Sequence, residues 1–250
     1  MVRGIETFKK WFEGYDDQYV IIGGTACDIL MSAEGADFRA TKDIDMVLII
    51  ETLTTDFGNR FWEYVKEGGY QNKNKSNGEP QFYRFTDPGN PDFPYMIELF
   101  SRRLNSIQLP PDAELTPLPL DDDIYSLSAI LVDDDYYNFL RTGSTVIDGV
   151  PILDAAHLIP FKAKAWLDLS ARKVAGETVD SRHIRKHKND VFRLSEFLTP
   201  DLAIETPATI KTDLTDFCSE MESEDVDLKS LGIRGNKVGI LENILKVYFH

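Results

Sequence analysis

Two aspartates, Asp43 and Asp45, stand directly before the apolar run 46–50 and alternate with apolar residues. In a β-strand, residues i and i+2 share a face, with their Cα atoms about 6–7 Å apart. Both carboxylates can therefore aim at one cation, and hard oxygen ligands favour Mg²⁺ or Mn²⁺, which bridge to substrate phosphates. The alternative is that the two aspartates are a solvated, inert strand start.

A glycine pair, Gly23 and Gly24, follows the short apolar run 19–22 and precedes an apolar stripe with helical spacing. Backbone N–H groups at such a turn can cradle a phosphate, although a tight strand–helix turn alone also favours glycine. Thr25 adds a hydroxyl that can contact phosphate, cap the helix in a capping box with Asp28, or both. Together with the aspartates, these residues suit a metal-bound nucleoside triphosphate.

A third carboxylate, Glu98, interrupts the otherwise apolar stretch 95–100. Three carboxylates can hold two metal ions, one activating an attacking hydroxyl and one steadying a leaving pyrophosphate. A lone charge on an apolar strand needs a partner. We therefore assign Glu98 to the same site, with the alternatives that it faces solvent or pairs with Arg84 or Arg102.

The glycine turn and the Asp-x-Asp pair resemble the signature of the nucleotidyltransferase superfamily. The longer pattern Arg39-x-Thr41-x-Asp43-Ile-Asp45 resembles the AbiEii-type nucleotidyltransferase toxins of bacterial abortive-infection systems. This resemblance implies a nucleotidyltransferase-like fold, catalytic metal ligands at the aspartates and nucleotide contacts at the glycine turn and Arg39. It also implies a toxin–antitoxin role, with RNA or protein as acceptor and an antitoxin protein as partner.

Two later stretches look similar to further motifs of that toxin family, a Lys-x-x-Ala helix and a basic stretch ending in Asp. They are Lys162-Ala-Lys-Ala165 and Lys186-His-Lys-Asn-Asp190, and the resemblance covers roughly residues 18–195. It implies that Lys162 and Asp190 are catalytic. The residues it implies for nucleotide binding are Lys164, Arg185, Lys186 and Lys188. The alternatives are an i,i+4 pair of Lys164 with Asp168 and a solvated helix face for the run 182–188.

The charge distribution favours a small polyanionic substrate over a long nucleic-acid track. The 250-residue chain has a formal net charge of −15, which argues against broad charge-driven binding to duplex nucleic acid. Residues 160–195 nevertheless carry nine Lys/Arg against four Asp/Glu, a local +5 on a remainder of −20. We expect this basic segment to face the aspartate strand. His183 and His187, four residues apart, are a weak metal signal without a third ligand.

The hydrophobic pattern predicts an α/β front half followed by a helical C-terminal region, and the resemblance implies an α+β fold with a mixed β-sheet and flanking helices. We predict an α/β domain over 1–153, with a Pro-rich acidic connector at 109–123, and a helical domain over 154–250. The predicted strands cover 19–22, 44–50, 81–85, 95–100, 126–132 and 145–153, the last turning at Asp148-Gly149. The predicted helices cover 1–12, the stretch after Gly24, 57–65, 161–174, the stretch after Asp180, and two more opened by Pro207 and Asn236.

The remaining features indicate a cytoplasmic globular protein. No apolar run approaches the ~20 residues of a membrane span, and the N-terminus lacks the apolar region of a signal peptide. Cys27 and Cys218 are too distant in sequence to suggest a disulfide framework.

The sequence therefore predicts a Mg²⁺- or Mn²⁺-dependent enzyme that moves a nucleoside monophosphate from an NTP to a hydroxyl acceptor and releases pyrophosphate. RNA, a protein side chain or a small molecule such as an aminoglycoside remain open as acceptors. The alternative from another class is a catalytically silent module that binds nucleotide or a partner on the same fold.

Overall fold

A computed structural model describes residues 2–72, 82–103, 115–118 and 128–249. The chain divides into two compact units, one comprising residues 1–137 with 144–153 and the other residues 138–143 with 154–250. The first contains a mixed sheet with helices and the second is helical, so the predicted α+β class is confirmed.

The described part of the first unit contains an eight-stranded sheet in the order β5-β6-β4-β2-β1-β8-β7, with β3 also pairing with β4. The central strand β2 is antiparallel to β1 and parallel to β4. The strands are β1 Tyr19–Ile22, β2 Asp43–Leu48, β3 Arg84–Thr86, β4 Met96–Ser101, β5 Leu115–Pro117, β6 Ser128–Leu131, β7 Ser144–Ile147 and β8 Val150–Leu153.

The described part of the first unit also contains the helices α1 Ile5–Phe12, α2 Gly23–Ala33 and α3 Thr55–Gly68. Aromatic residues fill the core of this unit, with Phe8, Phe12 and Tyr64 all within 1% exposure. Phe8 and Phe12 have ring centroids 4.6 Å apart, and Phe12 and Tyr64 5.2 Å apart. Burial of this size stabilises the sheet and so holds β1 and β2 rigidly at the chemistry-bearing residues.

The next helix, α4 Asp134–Thr142, has no counterpart among the sequence predictions. The Asp133 carboxylate accepts hydrogen bonds from the backbone N–H groups of Asp135 and Tyr136, as a helix cap does. Tyr137 and Leu140 are buried. The sequence signal for this helix was Asp133 as N-cap, followed by apolar residues at helical spacing. Asp133 is the first of three consecutive aspartates, so it did not stand out as a cap.

One predicted helix cap and one predicted helix start were wrong. The capping box is absent from α2 as described, because α2 begins at Gly23 with Ile22 as its N-cap, and the Thr25 hydroxyl donates to the Asp43 carbonyl instead. The helix predicted from residue 161 begins at Ala155 and runs through Pro160. Its N-cap is Asp154, whose carboxylate accepts from the backbone N–H of His157.

The second unit contains four main helices, α5 Ala155–Val174, α6 Ser181–Leu194, α7 Ala208–Ser223 and α8 Lys237–Tyr248, within its described residues. In its last helix, the sequence spacing predicts a buried face of Val238, Leu241, Leu245 and Tyr248. Leu241 and Tyr248 are buried, but Val238 is 60% exposed, Leu245 is partly exposed and Ile244 is buried. Apolar residues occur almost all round α8, so the sequence offers two stripes and packing selects one.

Several predictions meet the limits of the described residues. The hairpin over 145–153 is confirmed, since Asp148 and Gly149 have φ of 51° and 73° between β7 and β8. Most of the predicted connector at 109–123 lies outside the described residues. Across the described ranges, no helix combines the length and apolar character that crossing a bilayer requires.

Candidate functional site

Asp43 and Asp45 lie on one face of β2, the strand between β1 and β4. Both are partly exposed, whereas Ile44, Met46 and the residues after it are buried. The alternation expected for a strand therefore directs both carboxylates away from the apolar side. A rigid, buried strand presents them together.

The glycine turn packs directly against the second aspartate. Ile22 pairs with Asp45 in the antiparallel β1–β2 ladder, so the next residue, Gly23, follows at the same end. A Cβ added at Gly23 would lie 2.0 Å from Asp45 Oδ2, and Gly23 has a φ of +74°. Steric overlap and the left-handed backbone therefore both require glycine at this position.

The neighbouring motif residues converge on the same turn. A Cβ at Gly24 would lie 2.6 Å from Thr41 Oγ1 and 3.4 Å from Arg39 Nη2. The Thr25 hydroxyl is fully buried and donates to the Asp43 carbonyl oxygen at 2.5 Å. This bond ties the first turn of α2 to the start of β2, so Thr25 positions the strand. The structure thus brings Gly23, Gly24, Thr25, Arg39, Asp43 and Asp45 together.

Glu98 lies beside Asp45 on the neighbouring strand. The parallel β2–β4 register pairs these two residues, so both side chains lie on the same face of the sheet. On the other side of β4, Arg84 of β3 stands opposite Glu98 in the antiparallel register, and its Nε donates to Glu98 Oε1. The alternative pairing of Glu98 with Arg84 is therefore the observed one, and Asp45, Glu98 and Arg84 form a row across three strands.

The two carboxylates on one face of β2 are ligands of the kind that a magnesium ion binds. Mg²⁺ binds through one or two carboxylates plus waters and substrate phosphates, and Asp43 and Asp45 supply two such carboxylates on one face. The glycine turn packs closely against Asp45, where a larger residue would displace the carboxylate. Among the described residues, no group of three or more His, Cys, Asp or Glu side chains is arranged to hold a metal ion. The assignment of Glu98 as third ligand stays a prediction.

In the second unit, the two residues predicted to be catalytic contact each other. Lys162 Nζ on α5 lies 3.1 Å from Asp190 Oδ2 on α6, with side chains 4% and 0% exposed. A buried charge pair costs much desolvation free energy, and losing one partner leaves the other charge buried and uncompensated. The contact with Asp190 fixes the orientation of the Lys162 side chain.

The predicted nucleotide-binding lysines of this unit also contact carboxylates. Lys164 Nζ lies 3.3 Å from Asp168 and 3.4 Å from Asp213, which confirms the i,i+4 pair. Burial lowers the pKa of Lys164, but these two carboxylates outweigh it and leave the pKa above its ordinary value. Lys188 is buried and donates to Glu224 Oε2 at 2.6 Å.

The rest of the basic segment is more accessible. Arg182 is exposed and pairs with Asp180, the N-cap of α6, while Arg185 is exposed and Lys186 partly so. Nucleotide binding by Arg185 and Lys186 stays a prediction. His183 and His187 belong to no metal-holding group within the described ranges.

We expect replacement of Lys162 by methionine to lower the free energy of unfolding of the second unit by about 3–5 kcal/mol, because the buried ion pair with Asp190 would be broken. Thermal and urea unfolding of the full chain measure the effect. Lys164→Met is the matched control, with an expected loss below about 1 kcal/mol, because that lysine is 43% exposed. Equal losses for both variants would contradict a structural role for the buried pair.

The sequence matches no family model and no curated protein. Among solved structures, one similar chain is the antibiotic-resistance factor ANT(2'')-Ia. It is 13% identical, with a TM-score of 0.41, covering 88% of this chain and 92% of that one. Another is a Megavirus polyadenylate synthase, 12% identical, with a TM-score of 0.38, covering 88% of this chain and 36% of that one. This chain therefore spans about a third of the synthase. At these TM-scores neither structure supports a function for this chain, and the functional proposal is based on the chain's own residues.

Proposed function

We propose that this protein is a metal-dependent nucleotidyltransferase that transfers a nucleoside monophosphate from an NTP to a hydroxyl group. The observation that carries the proposal is the packing of Asp45 against Gly23, beside Asp43 on the same face of β2. A glycine turn that opens a helix is suited to phosphates, and paired carboxylates are suited to the cation that accompanies them.

In this proposal, Asp43 and Asp45 would hold Mg²⁺ or Mn²⁺, which supplies charge neutralisation on the phosphates and activation of the acceptor hydroxyl. Backbone N–H groups at Gly23 and Gly24 donate to the triphosphate, which the N-terminus of α2 also favours. Arg39, beside Gly24, presents a planar fork that matches phosphate oxygens. Transfer forms a bond between the acceptor oxygen and the α-phosphorus and breaks the bond to pyrophosphate.

The acceptor and the biological role are proposed from the sequence resemblance. An RNA end or a protein side chain fits a toxin whose activity an antitoxin restrains, and an aminoglycoside-like small molecule is the third candidate. The net charge of −15 favours a small or locally bound acceptor over long duplex nucleic acid.

A catalytically silent nucleotide-binding module is the second candidate. The observation that favours it is the engagement of Glu98 by Arg84, which occupies the carboxylate proposed as third ligand. Such a module would bind NTP through the glycine turn without transferring it.

The test is incubation of the purified full chain with each α-labelled NTP, cell extract and Mg²⁺ or Mn²⁺. We expect label from at least one NTP to become covalently attached to an acceptor and the attachment to stop when EDTA removes the cation. Retention of labelled NTP on the protein without any transfer would instead favour the silent module.

A further inference from the structure

Asp45 of β2, Glu98 of β4 and Arg84 of β3 form a row of charged residues across three strands. The two carboxylates stand side by side in this row, which requires explanation. Asp45 and Glu98 are register partners on adjacent parallel strands, where Cα atoms lie about 4.8 Å apart. Like charges directly opposite each other on neighbouring strands are destabilising. A positive charge beside them therefore stabilises this part of the sheet.

Arg84 supplies that charge from the far side of β4. It stands opposite Glu98 in the antiparallel β3–β4 register, so the backbone pairing of the strands, and not a chance rotamer, places the two side chains on one face. The Glu98 side chain is 13% exposed and that of Arg84 is 43% exposed. The arginine can thus leave for solvent while the carboxylate stays where it is.

We propose that Arg84 sets the divalent-cation affinity of the site by competing with the cation for Glu98. This inference rests on the proposed function above, and it adds Arg84 to the proposed site as a positioning residue. Arg84 holds the Glu98 carboxylate when the site carries no cation and gives it up when a cation binds beside Asp45. The exchange replaces one positive neighbour of Glu98 by another, so the like-charge pair is neutralised in both states.

The competition has a direct consequence for cation binding without nucleotide. Replacing Arg84 by glutamine removes the competitor, and we expect the dissociation constant for Mn²⁺ alone to fall about fivefold, the range of a partly exposed ion pair. Isothermal titration and Mn²⁺ electron paramagnetic resonance on the full chain measure it. Neither measurement depends on NTP turnover.

Arg102→Gln is the matched control. Arg102 also pairs with a carboxylate in this unit, Glu51, at 3.0 Å with side chains 23% and 30% exposed. Glu51 comes after the C-terminal end of β2 and Arg102 after that of β4, whereas Asp43 stands at the N-terminal end of β2. The control pair therefore lies at the other end of these strands from Asp43. We expect unchanged Mn²⁺ affinity in Arg102→Gln and a slightly lower thermal unfolding temperature in Arg84→Gln, because the positive charge opposite Glu98 is lost.

A double-mutant cycle separates competition for Glu98 from a general change in charge. In a Glu98→Gln background, Arg84→Gln should leave Mn²⁺ affinity unchanged, because the contested carboxylate is gone. Tighter binding that persists in this background would overturn the proposal. Unchanged or weaker binding in the single variant Arg84→Gln, or no measurable Mn²⁺ binding to it, would overturn it as well.

The same titrations distinguish this inference from the function on which it rests. Asp45→Asn should weaken Mn²⁺ binding if the aspartates hold the cation. Weaker binding in Asp45→Asn with no effect of Arg84→Gln contradicts the role of Arg84 alone. No effect of Asp45→Asn on Mn²⁺ binding contradicts the metal site itself.

Discussion

Replacing either aspartate of β2 by asparagine should reduce nucleotidyl transfer roughly a hundred- to a thousandfold, the usual loss when a charged group that stabilises a transition state is removed. Asparagine keeps the shape of Asp43 or Asp45 and removes its charge. Both side chains are only partly buried, and Asp45 has a like charge at its register partner Glu98. We therefore expect thermal unfolding at or above the wild-type temperature. Initial rates of label transfer at fixed metal, with thermal unfolding of the same samples, measure both effects.

Asp16→Asn is the control for this pair of variants, since Asp16 is exposed and precedes β1. It should transfer label at the wild-type rate. Wild-type rates in either Asp43→Asn or Asp45→Asn at equal metal concentration would remove that residue from the proposed site.

Gly23→Ala should remove most of the transfer activity, by roughly a hundredfold, because misplacing a catalytic group by about 1 Å costs that much. The added methyl would overlap Asp45 Oδ2, which it would approach to 2.0 Å, so the carboxylate must move. The left-handed φ of +74° adds a backbone cost of about 1–2 kcal/mol. Transfer rates and the free energy of unfolding are the two measurements.

Gly35→Ala separates the two causes. Gly35 has a similar φ of +69°, and a Cβ there would meet no described atom within 4 Å. We expect it to lose about 1–2 kcal/mol of stability and to keep its activity. If Gly35→Ala and Gly23→Ala lost activity equally, backbone strain and not contact with Asp45 would explain the result.

The sequence predicted the strand at Asp43 and Asp45 and the helix at the glycine pair because their signals are short-range. Alternation at Asp43 and Asp45 and the glycine pair after an apolar run each specify a backbone shape within a few residues. The contact between Gly23 and Asp45 does not follow from such local signals, because it depends on the β1–β2 register. That register is set by how two strands about twenty residues apart bury their apolar sides.

The partner of Glu98 illustrates what the sequence left open. Solvent, Arg84 and Arg102 were all acceptable, and only the pairing of β3 with β4 selects Arg84, while Arg102 pairs with Glu51.

The two lysines Lys162 and Lys164 of α5 also show what the sequence left open. Helical spacing predicted the Lys164–Asp168 pair, but the burial of Lys162 against Asp190 depends on packing of α5 on α6.

The central claim is transfer of the nucleoside monophosphate, and the position of the label in the NTP tests it most directly. The full chain is incubated with extract and Mg²⁺ or Mn²⁺, in parallel with α-labelled and γ-labelled forms of the NTP that it uses. We predict that the α-label becomes attached to the acceptor while the γ-label is released as pyrophosphate, and that Asp45→Asn does neither. Attachment of the γ-label above the level seen with extract alone, no attachment of the α-label, or an Asp45→Asn variant that performs like wild type would contradict the account.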